Sequence, residues 1–274
     1  MLSQRAKGLK PSPTLALAAK AKELKAEGKD VISLSVGEPD WDTFESIKQV
    51  GINAIQSGVT KYAPSNGTPE IRQAIVNQFK NDFGVEYYPN QVTVTAGAKF
   101  VIFSALQVII DPGDEVLIPA PYWVSYPTMV ELAGGIPQVV VCDSKSKFKL
   151  SAKSLQENIT SKTKAVILNS PSNPTGNMYT SEEWSEIAAV LKDYPNTIII
   201  LDDIYNRLVF NDRGVAPHLL EVAPEVQDRA IVINGGVENL FDDRLEAGMG
   251  AGAGPCDSSN EQIPEPIGKL CLFI

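Results

Sequence analysis

The chain has 274 residues, of which 43% are apolar, and a formal net charge of -9. This length allows one large domain or two smaller ones, and the negative charge argues against a nucleic-acid-binding protein, which needs a basic surface. No apolar run is long enough to span a membrane and no signal peptide is recognisable, so we expect a cytoplasmic protein without a membrane partner. The cysteines, Cys142, Cys256 and Cys271, lack metal-ligand spacing, and we predict no metal site.

The single histidine limits the acid–base chemistry that the chain can perform. His218 follows Pro217 in a polar segment without an acidic partner at a telling spacing, so we predict a surface loop residue. A Ser-His-Asp hydrolase or a His-rich metal site would depend on this residue alone. Acid–base chemistry therefore has to use Lys, Tyr, Asp or a cofactor.

Turn residues and apolar periodicity divide the chain into helices and strands. The N-terminal part is predicted to contain helices at 14–28, 44–57 and 69–83 and a short strand at 31–35. From residue 92 onward the two alternate, with strands at 92–95, 116–118, 138–142, 165–168, 197–201 and 230–234 and helices at 100–110, 126–133, 150–159 and 181–192. This alternation predicts an α/β domain around a mostly parallel sheet with helices on both faces.

Polar side chains follow two of the predicted strands. Asn173 comes after the strand at 165–168, and Asp202 and Tyr205 come after the strand at 197–201. Open α/β sheets bind ligands at the carboxyl ends of their strands. We therefore expect an amide, a carboxylate and a phenol at one binding site.

A turn of small residues, Ala96-Gly97-Ala98-Lys99, separates the strand at 92–95 from the following apolar helix. Such turns bind phosphate in many proteins, because free backbone N–H groups and the helix N-terminus favour an anion. The signal is weak by itself, since many strand–helix turns contain glycine.

Motifs spread over residues 5–236 occur together in the order of one known family. The chain resembles the class I aminotransferases, pyridoxal-phosphate enzymes of fold type I, and especially the bacterial aspartate and aspartate/prephenate aminotransferases. The motifs are Lys10-Pro11-Ser12-Pro13-Thr14, Gly37-Glu38-Pro39-Asp40, Thr60-Lys61-Tyr62, Gly97-Ala98-Lys99, Pro121-Tyr122-Trp123-Val124-Ser125-Tyr126-Pro127, Asn169-Ser170-Pro171-Ser172-Asn173-Pro174-Thr175-Gly176 and Asp202-Asp203-Ile204-Tyr205.

The resemblance implies pyridoxal 5′-phosphate as cofactor, which acts as an electron sink for a substrate carbanion. Asp202, and not Asp203, would pair with the protonated pyridine nitrogen, because it stands three residues before Tyr205. Tyr205 and Asn173 would hydrogen-bond the 3-oxygen of the ring. Trp123 would stack on the ring face.

The resemblance also assigns the phosphate and substrate contacts. The amides of Gly97, Ala98 and Lys99 would hold the phosphate, and Tyr62 would reach the phosphate of a neighbouring subunit, which implies a homodimer. Gly37 would lie beside the substrate carboxylate with Trp123 and Asn173, and Lys10 matches a position that the family links to prephenate use. The substrates would be an amino acid, aspartate or glutamate, and a 2-oxo acid.

Each of these residues has a simpler interpretation that the residues alone leave open. Trp123 suits core packing, Asp202 a helix N-cap, and Asn173 a turn before Pro174. Tyr62 and Lys99 suit an ordinary solvent-exposed surface. The implied domain division is an N-terminal arm with a small-domain segment at 1–45, an incomplete cofactor-binding large domain at 46–236, and a tail outside the family pattern at 237–274.

The resemblance ends near Val237. The family continues with a segment such as Val-Ser-Lys-x-x-Ser-Met-Thr-Gly-Trp-Arg, which contains the Schiff-base lysine, but this chain has no lysine between Lys192 and Lys269. Glu238 to Gly250 can be back-translated into codons that, read one nucleotide later, spell Lys-Thr-Tyr-Ser-Met-Thr-Gly-Trp-Arg-Leu-Gly-Trp. We therefore hypothesise a frameshift, in the gene or in its sequencing.

Three expectations follow from this break. The chain is truncated relative to the family, residues 237–274 form a disordered tail, and the chain as written is an inactive aminotransferase without a catalytic lysine. Two alternatives stay open. One is another fold-type-I enzyme, such as a lyase or an aminocyclopropane-carboxylate synthase, and the other is a non-catalytic remnant or binding protein.

Overall fold

The computed structural model describes residues 3, 7–8, 13–34, 37, 42–235 and 272–273. They belong to two compact units, Met1–Asp42 and Thr43–Ile274. In the first unit, helix α1 spans Pro13–Ala26, close to the predicted 14–28. The strand predicted at 31–35 is wrong for residues 31–34, which pair with no other strand. Ile32 and Leu34 are 86% and 94% exposed, so their apolar alternation has no sheet to pack on.

The second unit contains the other helices and strands, many with bounds close to those predicted. Its helices are α2 (Glu45–Gln56), α3 (Pro69–Phe83), α4 (Ala98–Ile109), α5 (Tyr126–Leu132), α6 (Ala152–Asn158), α7 (Ser181–Lys192) and α8 (Leu219–Val222). Its strands are β1 (Val92–Thr93), β2 (Glu115–Ala120), β3 (Ile136–Val141), β4 (Thr163–Asn169), β5 (Ile198–Asp202), β6 (Ala230–Ile233) and β7 (Leu272–Phe273).

These strands form one sheet in the order β1-β7-β6-β5-β4-β2-β3, and each neighbouring pair is parallel. The predicted α/β architecture with a mostly parallel sheet is therefore confirmed. In the register of the three central strands, Asp202 pairs with Asn169 on one side and with Ile233 on the other. The carboxyl ends of β4, β5 and β6 consequently lie at the same edge of the sheet.

Both faces of the sheet are covered, because successive strand residues point to opposite sides. In β5, Ile199 and Leu201 belong to a core with side chains of α3, α7 and α8, whereas Ile198 and Ile200 belong to a second core with α4 and α5. The whole of β5 is buried. A strand covered on both faces reads as a continuous apolar run, which is how β5 appears in the sequence.

Helix α3 shows why its bounds could be predicted from sequence. The Thr68 side chain accepts a hydrogen bond from the Ile71 amide, Pro69 occupies the first turn, and Gly84 ends the helix in the left-handed conformation. These are the preferred residue types for the start and the end of a helix.

The prediction of an exposed His218 is wrong. Its side chain is 4% exposed, and its Nε2 lies 2.8 Å from Oδ2 of Asp203. The sequence conceals this environment because the carboxylate and the neighbouring aromatic rings come from segments that are not adjacent to it in the chain.

Most of the predicted tail, residues 237–274, lies outside the described residues. Within it, Leu272–Phe273 form β7, which pairs with β6 on one side and with β1 on the other. The prediction of a disordered tail therefore stays a prediction for the remaining residues.

Candidate functional site

The carboxylate of Asp202 lies at the end of β5 and is 3% exposed. Its Oδ2 accepts a short hydrogen bond from the Tyr126 hydroxyl, and its Oδ1 accepts one from the Ile204 amide at 3.3 Å. A buried carboxylate needs such donors, because loss of hydration disfavours its charge. Each of the two carboxylate oxygens thus has a donor in the protein.

Sequence reasoning assigned no role to Tyr126. This tyrosine is the first residue of α5 and is 2% exposed. Burial, the charge of Asp202 and the hydrogen bond to it hold the pKa of Tyr126 well above its ordinary value. The phenol is therefore a permanent hydrogen-bond donor to Asp202. The only sequence signal was its position within the motif that contains Trp123.

The structure brings Asn173 and Tyr205 together at the neighbouring strand end. The side-chain Nδ2 of Asn173 lies 3.2 Å from the Tyr205 hydroxyl, and the backbone amide of Asn173 donates to Asn169 Oδ1 at 2.7 Å. Asn169 in turn donates from Nδ2 to the Asp202 carbonyl at 2.7 Å. Asn169 thus joins the ends of β4 and β5 and positions Asn173, a function that sequence reasoning missed.

Trp123 lies next to this network, half-buried. Its ring centroid is 5.5 Å from that of Tyr126, with an interplanar angle of 82°, and Lys99 Nζ lies 4.9 Å from the Trp123 centroid. We call Trp123, Tyr126, Asn173, Asp202 and Tyr205 the strand-end cluster. It combines a buried carboxylate, an amide, two phenols and an indole.

The N-terminus of α4 provides backbone donors. Gly97 has φ +93°, and no atom lies within 4 Å of the position where a Cβ would be. The Gly97 amide already donates to the Thr95 carbonyl at 2.9 Å. Within the described residues, the amides of Ala98 and Lys99 have no acceptor, as expected for the first turn of a helix. Two of the three predicted phosphate donors are therefore open to an anion.

Three predicted site residues are not joined to the strand-end cluster by the described structure. Tyr62 is 89% exposed in the segment before α3. Gly37 belongs to the first compact unit and is exposed. Lys10 lies outside the described residues. The roles of these three residues stay predictions.

The described part of the chain adds two negative findings. None of its helices combines the length and the apolar character that a membrane span requires. It also contains no group of three or more His, Cys, Asp or Glu side chains that could hold a metal ion. The strand-end cluster itself places a carboxylate with hydrogen-bond donors beside an aromatic surface. Such a site suits a flat, cationic ring linked to an anionic group.

Comparison with known proteins agrees with this chemistry. The family model for aminotransferase class I and II matches residues 29–236. The aspartate aminotransferase of Bacillus sp. (strain YM-2) is 49% identical over 237 residues, which cover 86% of this chain and 59% of that protein. The aspartate/prephenate aminotransferase of Nitrosomonas europaea is 45% identical over 234 residues, which cover 85% of this chain and 59% of that protein.

Solved structures give the same result. The aspartate aminotransferase of Rhizobium meliloti superposes with a TM-score of 0.82 at 38% identity, covering 86% of this chain and 59% of that one. The aspartate aminotransferase of Thermus thermophilus with maleate superposes with a TM-score of 0.81 at 37% identity, covering 87% of this chain and 61% of that one. This chain therefore spans about three fifths of the length of these relatives. It belongs to the class I and II aminotransferases, a family of pyridoxal-phosphate-dependent enzymes.

Proposed function

We propose that this chain contains the cofactor-binding half of an aminotransferase site in amino acid metabolism in the cytoplasm. The reaction of the intact family member would transfer an amino group between aspartate or glutamate and a 2-oxo acid. Relatives named aspartate aminotransferase support this substrate class. The single observation that carries the proposal is the buried Asp202 carboxylate with its Tyr126 donor, beside the Asn173–Tyr205 pair.

The residues present fit pyridoxal 5′-phosphate. The open amides of Ala98 and Lys99, at the positive end of α4, suit a phosphate dianion. The empty space at the missing Cβ of Gly97 suits close approach of that group to the backbone. The Asp202 carboxylate suits a protonated pyridine nitrogen.

When bound, the cofactor supplies an electron sink for a substrate carbanion. Asp202 would hold a positive charge on the ring nitrogen by charge pairing. Tyr205 accepts a hydrogen bond from Asn173 Nδ2, which holds the two side chains together, and both would donate to the 3-oxygen. Trp123 would exclude water from one face of the ring.

The remaining site residues and the assembly are also proposals. Tyr62 would reach the phosphate of a second subunit in a homodimer, and its 89% exposure leaves it accessible for that contact. Gly37 would lie by the substrate carboxylate, and Lys10 would influence prephenate use. For the domains, we propose an N-terminal arm with a small-domain segment at 1–45, an incomplete large domain at 46–236, and a non-family tail at 237–274.

We further propose that the chain as written is catalytically inactive. No lysine occurs between Lys192 and Lys269, whereas the family uses a lysine soon after the strand that corresponds to β6. A frameshift near Val237 would account for the loss, because Glu238 to Gly250 can be back-translated into codons that restore the family segment when read one nucleotide later. Resequencing of the locus tests this: an intact frame with codons that cannot encode that segment would exclude the frameshift.

A second candidate function, a non-catalytic binding protein, is favoured by the same missing lysine. Such a protein would keep the contacts with the cofactor but would not catalyse the transfer of an amino group. A chain with its frame restored at Glu238 separates the two possibilities. Recovery of transaminase activity with aspartate and 2-oxoglutarate favours a damaged enzyme, and an inactive restored chain favours the binding protein.

Pyridoxamine 5′-phosphate is the appropriate probe for the present chain, because it has no aldehyde and needs no lysine. We expect calorimetry to detect one site per chain, with binding at least about tenfold weaker in Asp202→Asn because a charge pair is lost. Asp228→Asn, an equal charge change at an exposed position, should bind like the unmodified chain. Lack of binding by the unmodified chain would reject the proposed function. A stoichiometric adduct at one lysine, after treatment with pyridoxal phosphate and borohydride, would contradict inactivity.

A further inference from the structure

Each oxygen of the Asp202 carboxylate has a donor in the protein. Oδ2 accepts from the Tyr126 hydroxyl, and Oδ1 accepts from the Ile204 amide at the longer distance of 3.3 Å. We propose that Tyr126 is a positioning residue that holds the Asp202 carboxylate ionised and in one orientation. The consequence for the cofactor rests on the proposed function, whereas the effect on Asp202 itself does not.

Burial makes this donor necessary. Asp202 is 3% exposed, and an isolated carboxylate at such a position takes up a proton because its charge is poorly solvated. A phenol that remains protonated offsets this tendency, since a donor favours the charged form of its acceptor. Burial and the charge of Asp202 raise the pKa of Tyr126, so the hydroxyl keeps its proton over the working pH range.

Packing also fixes the orientation of the phenol. Tyr126 begins α5, and its amide donates to the Trp123 carbonyl at 3.1 Å. The Tyr126 ring meets the Trp123 ring edge-on, at 5.5 Å and 82°. Tyr126 therefore connects Trp123, which is expected to stack on the ring, to Asp202, which is expected to pair with the ring nitrogen. The neighbouring phenol of Tyr205 raises the pKa of Tyr126 further.

A simpler interpretation is that Tyr126 is a core residue whose hydroxyl bonds to the nearest acceptor. The two interpretations differ in their pH dependence. A donor that stabilises the ionised form lowers the pKa of Asp202, so its stabilising effect exists above the unfolded carboxyl pKa of about 3.9 and declines as pH falls through the folded value. A purely structural hydroxyl contributes equally at all these pH values.

Tyr126→Phe removes only the hydroxyl, and Tyr179→Phe is its matched control. Tyr179 is also buried, and its hydroxyl accepts a hydrogen bond from the Leu150 backbone amide at 3.0 Å. Urea unfolding is followed between pH 7.5 and pH 3.5. We expect the difference in urea midpoint between the unmodified chain and Tyr126→Phe to narrow as pH falls, and to narrow more than the difference for Tyr179→Phe, whose phenol interacts with the Glu183 charge. A Tyr126→Phe difference that narrows no more than the Tyr179→Phe difference would overturn the proposal.

A measurement on the unmodified chain covers the case in which Tyr126→Phe does not fold. The carboxyl ¹³C signal of Asp202 is assigned by its loss in Asp202→Asn and then titrated with pH. A midpoint below the ordinary value of about 3.9 supports the proposal. A midpoint above it overturns the proposal.

Pyridoxamine 5′-phosphate binding separates this proposal from the proposed function. We expect about tenfold weaker binding by Tyr126→Phe, because a misplaced carboxylate pairs poorly with the ring nitrogen, and unchanged binding by Tyr179→Phe. One outcome is that the unmodified chain does not bind pyridoxamine 5′-phosphate while the Tyr126→Phe difference in urea midpoint narrows with falling pH. The proposed function then fails and the positioning role stands. If the unmodified chain binds and the Tyr126→Phe difference narrows no more than the Tyr179→Phe difference, the positioning role fails and the proposed function stands.

Discussion

Nε2 of His218 lies 2.8 Å from Oδ2 of Asp203, and both side chains are 4% exposed. The two atoms are within ion-pair distance without the alignment of a hydrogen bond. The imidazole stacks on Phe83 at 4.5 Å and meets Phe79 edge-on at 5.3 Å, and its Nδ1 accepts from the Leu220 amide. Asp203 thus joins the end of β5 to α3 and α8, whereas its neighbour Asp202 points into the strand-end cluster.

Loss of His218 should destabilise the fold. His218→Leu keeps an apolar side chain between the two phenylalanines but leaves the Asp203 carboxylate buried without its partner. We expect the free energy of unfolding to fall by about 3 kcal/mol, measured by urea denaturation. In a double-mutant cycle with Asp203→Leu, the two losses should be coupled by at least about 1 kcal/mol. Strictly additive losses would contradict an interaction between the two side chains.

Arg229 stabilises the C-terminal end of α7. Its Nη1 donates to the carbonyls of Tyr194 and Thr197 at 3.0 and 2.7 Å, and its Nη2 donates to the Leu191 carbonyl at 2.8 Å. The Leu191 carbonyl belongs to the last turn of α7, where a cation is favourable, and the other two carbonyls belong to the connection between α7 and β5. Arg229→Met should therefore lower the free energy of unfolding by about 2 to 4 kcal/mol in chemical denaturation.

Lys192 provides the matched control for Arg229. It lies in the last turn of the same helix, but its ion pair with Glu225 is exposed, with side chains 57% and 48% accessible. Lys192→Met should change the free energy of unfolding by less than about 1 kcal/mol, because exposed ion pairs contribute little. Equal losses in Arg229→Met and Lys192→Met would show that charge alone, and not carbonyl capping, explains the effect.

Gly67 is expected to tolerate no side chain. It has φ +91°, and a Cβ would lie 2.8 Å from Val94 Cγ2. Gly113, with φ +96°, has no atom within 4 Å of the same position. Both alanine substitutions force an unfavourable backbone conformation, costing about 1 kcal/mol, but only Gly67→Ala adds a clash with the segment after β1. Thermal unfolding should show a clearly larger loss for Gly67→Ala, and equal losses would contradict this geometry.

Glu183 should give the stability a measurable pH dependence. Burial opposes its ionisation, but hydrogen bonds from Lys149 and the Thr180 amide, with the Lys149 charge, outweigh burial and lower the pKa of Glu183. Its stabilising effect is therefore present above the unfolded value of about 4.3 and is lost as pH falls through the lower folded value.

Glu183→Gln removes this charge and retains an amide that can cap α7. Because the Glu183 side chain is 37% exposed, solvent screening limits the expected loss at pH 7 to about 0.5–1 kcal/mol. The difference from the unmodified chain should disappear near pH 3, as measured by urea unfolding at both pH values. A difference of the same size at pH 3 would show that the ionised carboxylate is not responsible.

Local signals made several elements predictable from sequence. The bounds of α3 and α7 agree with those predicted, because Thr68, Pro69 and Gly84 mark the first helix and Thr180 with Glu183 forms a capping box at the second. Helix α4 begins at Ala98, two residues before its predicted start, because the glycine turn leads directly into the helix. Apolar periodicity alone does not show where a helix of mostly apolar residues begins.

The sequence by itself determined the family, the alternation of strands and helices, and the residue types at the carboxyl ends of β4 and β5. These features depend on local spacing and on motif order, which are visible without coordinates. Only the tertiary structure assigned Tyr126 to Asp202, His218 to Asp203 and Asn169 to both strand ends. The contacts of Tyr126 with Asp202, of His218 with Asp203 and of Asn169 with the Asp202 carbonyl join segments that are distant in the chain, so they depend on how strands and helices pack.

Gly97 illustrates the same division at a single turn. The sequence predicted three phosphate-binding amides there. The folded turn leaves two of them open, because the Gly97 amide donates to the Thr95 carbonyl. The number of available donors is decided by backbone conformation, and the order of residue types does not specify it.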